Sequence, residues 1–410
     1  MPSDQTFVIV GASLAGAKAA ETLRSEGFDG QVILVGAEAD RPYERPPLSK
    51  EYLQGKSEKT KIYVHDESWY ADNNVELRLG TRATDIDPGS HTVTLDGGDR
   101  LTYTKLLLTT GSTPRQLNIA GANLDGVFTL RTVGDSEALR DAISSGGRVV
   151  VVGAGWIGLE TAAAARGYGA DVTIIEPQET PLHAVLGAEL GEVFAQLHRD
   201  NGVDLRLRTG VQEFRGDKRV THVVTDKGDE LAADVVIVGV GIRPNVELAE
   251  AAGLAVDNGV LVDEQLQTTN PDVYAAGDVA NAHNPVLGRN VRVEHWANAL
   301  NGGPAAARSM LGKGEPYDRV PYFFSDQYDL GMEYSGLAMP GEYDQVVYRG
   351  DKDKREFIAF WLKDRRVLAG MNVNVWDVTD PIQKMIRSQV EVDPAKLADT
   401  STSLEELAGE

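Results

Sequence analysis

Apolar residues come in short unbroken runs along this chain, and the runs recur in a fixed order. TFVIVGASLAG (6–16) and VVVVGAGWIGLE (149–160) are each an apolar strand that ends in a glycine turn and opens an alanine-rich stretch. QVILVGAE (31–38) and DVTIIE (171–176) follow them as second strands. Each set predicts a strand–turn–helix–strand unit. What comes next also repeats. After the first unit come VELRLGTRATDID (75–87), HTVTLDG (91–97) and KLLLTTGSTPR (105–115); after the second come VDLRLRTGVQEFRG (203–216), VTHVVTDKG (220–228) and VVIVGVGIRPN (235–245). An LRL strand, a hairpin and a buried strand ending in glycine therefore occur twice, roughly 140 residues apart, which is a duplication of domain size rather than a solenoid repeat. VYAAG (273–277) predicts one more short buried strand. From about Val320 the pattern changes to aromatic-rich alternation, in PYFFSDQYDLGMEYSG (321–336), DQVVYRG (344–350) and REFIAFWLKDRRVLAGMNVN (355–374). That predicts a small antiparallel sheet, followed by a short helix in PIQKMIRSQ (381–389) and a polar acidic tail. The fold class is α/β, with two Rossmann-like domains and a C-terminal α+β domain.

The glycine turns carry the first chemistry. Gly153-x-Gly155-x-x-Gly158 has the form of a dinucleotide fingerprint: one glycine for the tight turn, one for close approach to a pyrophosphate, one for packing helix on strand. Glu176 closes the next strand, where an acid accepts the ribose 2′-OH of NAD and repels a 2′-phosphate. NADH is therefore expected over NADPH. The N-terminal copy reads Gly11-x-Ser13-x-x-Gly16, with Glu38 at the ribose position; the Ser13 Cβ narrows the room for a pyrophosphate. Two nucleotide domains of one design imply two nucleotides brought together, and hence a redox reaction.

Composition narrows that reaction. The net charge of −22 excludes nucleic acid or an anionic membrane as the main partner. The chain has no cysteine, which removes disulfide reduction, cysteine-ligated iron–sulfur clusters and a cysteine peroxide centre. No Ser/His/Asp set and no metal-ligand spacing is visible. MPSDQ leads into a strand without a basic region, and no apolar run spans a bilayer, so the expected location is the cytoplasm. Several segments leave two readings open. RPYERPPLSK (41–50) is either a proline-stiffened surface loop, its prolines forbidding a helix, or a rigid support that sets Arg45 and Lys50 against an anionic or electron-rich group. Asp278 is either a helix N-cap or an acceptor for a ligand's hydroxyls. His295 reads as structural, and Trp296 as core or as a residue passing a ligand.

At this level of detail the chain resembles the FAD-dependent NADH:ferredoxin reductases of bacterial oxygenase systems, which share the glutathione-reductase fold and are similar to apoptosis-inducing factor. The resemblance covers nearly the whole length and rests on RPPLSK (45–50), TTGSTPR (109–115), TLRT (129–132), GAGWIGLE (153–160), GVGIRPN (239–245), TNPDVYAAGD (269–278) and FFSDQYD (323–329). It implies an FAD domain over 1–112 and 246–319, an NAD domain over 113–245 and a C-terminal interface domain over 320–410. For FAD it implies Gly11, Ala15 and Gly16 at the pyrophosphate, Glu38 at the adenosine ribose and Ala83 at the adenine. It further implies Arg45, Thr110, Gly111 and Arg131 in contact with the cofactor, Asp278 at the ribityl or pyrophosphate part and Trp296 beside the ring system. For NADH it implies Gly153, Gly155, Ile157, Gly158, Glu160, Glu176 and Gly241. Lys50 is implied beside the flavin N5, paired with Glu160, as the catalytic pair. Two departures stand out. Phe324 occupies a position often held by tryptophan, and Thr180 and Ala184 stand where relatives often carry arginines.

The implied acceptor is a ferredoxin of 2Fe–2S type that feeds an oxygenase or cytochrome P450, with the reductase a monomer or homodimer. An NADH oxidase or diaphorase with a small-molecule acceptor, or a redox-sensing interaction protein like apoptosis-inducing factor, are the alternatives. Ferredoxins are usually acidic, so docking on a protein of −22 calls for a local basic face. Arg308 and Lys313, or Lys352, Lys354, Arg355, Lys363, Arg365 and Arg366, are candidates, although Asp351, Asp353 and Asp364 interleave with the second group and make it read as a plain solvated hairpin.

Overall fold

The computed structural model describes residues 4–409. Packing divides them into two units, 4–44 with 59–113 and 243–321, and 45–58 with 114–242 and 322–409. These units are drawn by packing, whereas the three domains expected above are drawn by cofactor.

In the first unit the apolar runs form a five-stranded parallel sheet in the order Val273–Ala275, Lys105–Leu108, Thr6–Val10, Gln31–Val35, Val75–Arg78. Strands buried on both faces need no alternation, which is why FVIV and VILV read as continuous apolar segments. The helix Leu14–Ser25 leaves the first strand through the glycine turn and buries Ala15, Ala17, Ala19, Ala20 and Leu23. The helix Trp296–Met310 crosses it so closely that a Cβ on Gly303 would lie 2.1 Å from the Ala15 carbonyl oxygen. A three-stranded antiparallel sheet, Ala83–Asp87, Thr92–Leu95 and Arg100–Thr102, covers the hairpin predicted here.

The second unit repeats the plan. Its parallel sheet runs Asp204–Leu207, Asp171–Glu176, Arg148–Val152, Val235–Val238, Val127–Phe128, with Val211–Gly216, Val220–Thr225 and Glu230–Ala232 as the antiparallel companion. Four strands of each sheet have the same order, so the duplication read from the sequence is a duplication of topology; the fifth, at the edge, follows the others in the chain in the first sheet (Val273–Ala275) and precedes them in the second (Val127–Phe128). Tyr322–Gln327, Leu330–Gly336, Arg366–Val373, Glu356–Lys363 and Gln345–Asp351 then make the expected antiparallel sheet. It joins the nucleotide helix Trp156–Gly167 through aromatic contacts. Trp156 meets Phe194 and Phe323 edge-on at 5.5 and 5.1 Å, and Phe323 stacks on Tyr334 at 5.0 Å.

Two expectations need correction. Residues 46–49 do form a helix, the 3-10 turn Pro46–Ser49, because prolines in a first turn forfeit only N–H groups that would have had no partner there. The tail is not merely polar. Pro394–Ala398 and Leu404–Leu407 are short helices that bury Leu397 and Leu404, and the Arg349 guanidinium gathers the carbonyls of Leu397, Asp399, Thr400 and Thr402. Arg349→Ala removes a charge-assisted clasp and is expected to cost about 1.5–3 kcal/mol. Urea unfolding gives the loss, and limited proteolysis should then release the tail first.

Candidate active site

The two glycine turns show which position needs which residue. Gly153 has φ +98°, and a Cβ on it would lie 2.4 Å from the Gly239 oxygen; a Cβ on Gly158 would lie 2.0 Å from the Gly153 oxygen. A Cβ on Gly155 would meet nothing within 4 Å. The first and third glycines are thus fixed by the chain's own packing, while the middle one faces open space where a ligand can approach. The N-terminal copy has the same division. Cβ atoms on Gly11 and Gly16 would lie 2.1 and 2.2 Å from the Thr109 and Gly11 oxygens, whereas Ser13 adopts ordinary extended backbone (φ −123°, ψ −164°). Serine is therefore tolerated at the one position where no protein atom forbids a side chain. Both helices start without a side-chain cap and without an acidic residue in the first turn, so an incoming pyrophosphate has backbone donors to bind. Ile157 is exposed beside the second turn. Glu176 is held at that turn from both sides: its Oε2 accepts the Ala154 N–H at 2.8 Å and its Oε1 the Gln178 N–H at 2.9 Å. The donor sets and the open middle position fit two dinucleotides.

In the second unit, Lys50 Nζ lies 2.9 Å from Glu160 Oε1, with the lysine side chain 11% exposed and the glutamate 4%. Lys50 follows the 3-10 turn of the proline loop, and Glu160 sits on the first turns of the nucleotide helix. Two further donors reach the same carboxylate, Ser49 Oγ to Oε2 and Ser325 Oγ to Oε1 at 2.7 Å. The sequence reading missed both serines. For Ser325 the available signal was a polar residue at a strand position that faces a core; Ser49, in the 3-10 turn, had none. Arg45 donates to the Arg131 carbonyl, and Arg131 leads into the helix Val133–Ile143, which Thr132 and Asp135 close with a reciprocal capping box. Gly241, at φ +95°, accepts the Arg115 N–H through its carbonyl.

The remaining expected FAD residues lie in the first unit. Glu38 accepts a hydrogen bond from the Tyr43 hydroxyl, and Ala83 is buried. Thr110 and Gly111 are tied to Asn245, whose Nδ2 donates to the Thr110 carbonyl and whose N–H donates to that of Gly111. Asp278 is not a helix N-cap. It stands inside the 3-10 turn Gly277–Val279 and accepts Ser112 Oγ at 2.8 Å. Trp296 opens the helix Trp296–Met310 and donates its ring N–H to Glu44 at 3.1 Å. Burial pulls the neighbouring His295 down to about 4, against the opposing effect of Asp278.

The basic candidates are paired. Lys352 meets Glu189, Arg355 meets Asp200, Lys354 meets Asp351, Lys363 meets Asp344, and Arg366 meets Glu391; Arg365 donates to the Val392 carbonyl. Arg308 and Lys313 share the single carboxylate of Glu26, at 2.9 and 3.2 Å, and so keep a net positive charge. His198 is fully buried, and desolvation pulls it down to about 4. An unfolded chain binds that proton near pH 6.5, so stability is whole above that pH and falls as the pH drops toward 4, by up to about 1.4 kcal/mol per pH unit. Urea unfolding from pH 7 to 4 should show this slope, and His198→Asn should lessen it by close to one proton.

Two dinucleotide turns with a buried Lys–Glu pair and no cysteine define a two-nucleotide oxidoreductase that works without a disulfide. The chain belongs to the pyridine nucleotide-disulphide oxidoreductase family, matched over residues 5–303, and residues 322–408 match the reductase C-terminal domain. It is 40% identical over 407 residues to the ferredoxin–NAD(+) reductase component of the anthranilate 1,2-dioxygenase system of Burkholderia cepacia, covering 98% of this chain and 99% of that one. With rhodocoxin reductase of Rhodococcus erythropolis it shares 38% identity, covering 97% and 93% of the two chains. A crystal structure of a covalent putidaredoxin reductase–putidaredoxin complex superposes with a TM-score of 0.95 at 37% identity, covering 99% of this chain and 98% of that one. Among the described residues no helix is long and apolar enough to cross a membrane, and no group of three acidic, His or Cys side chains is placed to hold a metal ion.

Proposed function

We propose that this chain is an NADH-dependent ferredoxin reductase, in which bound FAD takes a hydride from NADH and passes electrons singly to a 2Fe–2S ferredoxin serving an oxygenase or cytochrome P450. The observation that carries this reading is the pair of equivalent glycine turns, each with an open middle position and an acid at the ribose position, in a chain whose relatives at 38–40% identity are named ferredoxin or rhodocoxin reductases. In this reading Gly11, Ala15 and Gly16 receive the FAD pyrophosphate, Glu38 and Ala83 the adenosine end, and Asp278 and Trp296 the flavin end. Arg45, Thr110, Gly111 and Arg131 complete the FAD set. Gly153, Gly155, Ile157, Gly158, Glu176 and Gly241 hold NADH. With FAD bound, Lys50 would supply a positive charge to the flavin as it is reduced, and Glu160 would fix the position of the lysine. Binding and orientation do most of the work, because hydride transfer between stacked rings asks little acid–base chemistry of the protein. The lack of cysteine supports a one-electron protein acceptor over the family's disulphide substrates.

The test is reduction of cytochrome c by NADH, with and without a 2Fe–2S ferredoxin. A rate that saturates with ferredoxin supports the reading. A rate indifferent to ferredoxin but supported by quinones or dyes points to the diaphorase alternative. Docking is assigned to the patch of Arg308 and Lys313. Reversing both to Glu is expected to raise the KM for ferredoxin roughly tenfold at low salt and little at high salt, since such steering is screened. Ferricyanide reduction, which needs no docking, serves as the control.

A further inference from the structure

The edge strand Tyr322–Gln327 sets polar residues opposite an apolar face of the next strand, with Ser325 paired to Met332 and Gln327 to Leu330. Alternation sends Phe323, Ser325 and Gln327 to one face. All three are buried, at 8%, 1% and 1% exposure. Phe323 packs in the core as expected, but Ser325 and Gln327 place a hydroxyl and an amide where apolar side chains would be the cheaper choice. Each is satisfied by the next group in a line. Tyr328 Oη lies 3.3 Å from His198 Nδ1, His198 Nε2 lies 2.9 Å from Gln327 Oε1, Gln327 Nε2 donates to Ser325 Oγ at 3.2 Å, and Ser325 Oγ donates to Glu160 Oε1 at 2.7 Å.

The direction of the line is fixed from both ends. A carboxylate only accepts, so the Ser325 hydroxyl proton points at Glu160, and the serine oxygen is left to accept from the Gln327 amide. The Gln327 carbonyl then faces His198, whose Nε2 must carry a proton. Burial keeps that ring neutral, so Nδ1 is the acceptor and the Tyr328 hydroxyl donates to it. Every donor in the line points toward the one negative charge at its end, and aligned bonds of this kind strengthen one another in a buried setting.

We infer that Ser325, Gln327 and His198 are positioning residues for the reaction, a polarised hydrogen-bond line that reaches Glu160 through the C-terminal sheet and holds its carboxylate aimed at Lys50. This rests on the proposed role of the Lys50–Glu160 pair. The charged groups around the line are Lys50, from the proline loop, and Asp326, on the far face of the same strand, whose carboxyl is raised chiefly by burial and further by Glu160, Glu51 and Glu333, against the opposing effect of Lys50. Arg166 faces Tyr328 at the other end. The residues that set the catalytic charge therefore include three from outside the glycine turns and the lysine loop.

The experiment compares Ser325→Ala, Ser325→Thr, Gln327→Met and Glu160→Gln in the FAD-loaded protein, by anaerobic stopped-flow reduction with NADH from pH 5 to 9. Ser325→Ala and Gln327→Met are expected to slow flavin reduction roughly tenfold and to move its acid limb up by about one pH unit, with NADH affinity unchanged. Ser325→Thr, which keeps the hydroxyl, restores both. A second readout is independent of turnover. The ring nitrogens of His198, observed by 15N NMR, should report the Nε2–H tautomer and should shift in Ser325→Ala and in Glu160→Gln. The inference is overturned if Ser325→Ala and Gln327→Met lower only thermal stability, leaving rate, acid limb and His198 signals as in the parent protein. If Glu160→Gln itself leaves flavin reduction unchanged, the role of the Lys50–Glu160 pair fails first. If Glu160→Gln slows the reaction and Ser325→Ala does not, only the positioning line fails.

Discussion

Replacing Lys50 by methionine is expected to slow flavin reduction by NADH roughly 10²–10³-fold, the range for removing one preorganised electrostatic group from a water-poor site. It is also expected to cost about 3 kcal/mol of stability, for a separate reason. Glu160 is 4% exposed and would be left with only the hydroxyls of Ser49 and Ser325 as donors. Breaking a buried pair from one side strands the other charge, which is far worse than removing both. The double variant Lys50→Met/Glu160→Gln should therefore regain most of the stability while its flavin reduction stays slow. Urea unfolding and stopped-flow reduction on the same three proteins separate the two effects. A single variant as fast as the parent would deny the lysine a part in the reaction.

Glu176→Ala should lower the preference for NADH over NADPH roughly a hundredfold in kcat/KM, with part of the change a loss for NADH and part a gain for NADPH. The carboxylate is gripped by the N–H groups of Ala154 and Gln178, one on each oxygen, so it cannot turn aside from a 2′-phosphate. Removing it deletes both an acceptor for the ribose hydroxyl and a repulsion. The gain for NADPH stays limited because the residues just after Glu176 include Thr180 and Ala184 rather than cations, and Arg208 beside them is paired with Glu179. Thr180 is buried against Gly191, whose Cβ, if it had one, would lie 2.4 Å from the threonine hydroxyl, so an arginine does not fit there. Ala184 is exposed and can take one. The combination Glu176→Ala/Ala184→Arg should thus favour NADPH more than Glu176→Ala alone. Steady-state ferricyanide reduction with each cofactor measures this.

What the sequence made legible follows from how local each signal was. The two parallel sheets could be read because strands buried on both faces leave continuous apolar runs, and the glycine turns because packing forbids any side chain at Gly11, Gly16, Gly153 and Gly158. The C-terminal sheet announced itself by aromatic-rich apolar segments and hairpin turns rather than by strict alternation, because its central strands are buried on both faces. The proline loop was harder. Prolines argue against an α-helix, but Pro46–Ser49 is a single 3-10 turn, too short for that argument to apply. Asp278 looked like a cap because an acid often precedes a helix, whereas here a short 3-10 turn leads into the strand Ala280–Asn284. The pairing of Arg308 and Lys313 with Glu26 spans more than half the chain and leaves no mark in either segment. Ser325 and Gln327 did leave one, as polar residues on the core face of a strand, but their partners Glu160 and His198 lie far off in sequence.

The central claim is that this chain holds a flavin that NADH reduces in preference to NADPH. The direct measurement is an anaerobic visible spectrum of the FAD-loaded protein during separate titrations with NADH and NADPH. The account predicts flavin bands that bleach with near-stoichiometric NADH and require a large excess of NADPH. A protein that takes up no FAD, or whose flavin is bleached equally by both nucleotides, would contradict it: the first would overturn the N-terminal turn with Ser13 as a flavin site, and the second Glu176 as the selector.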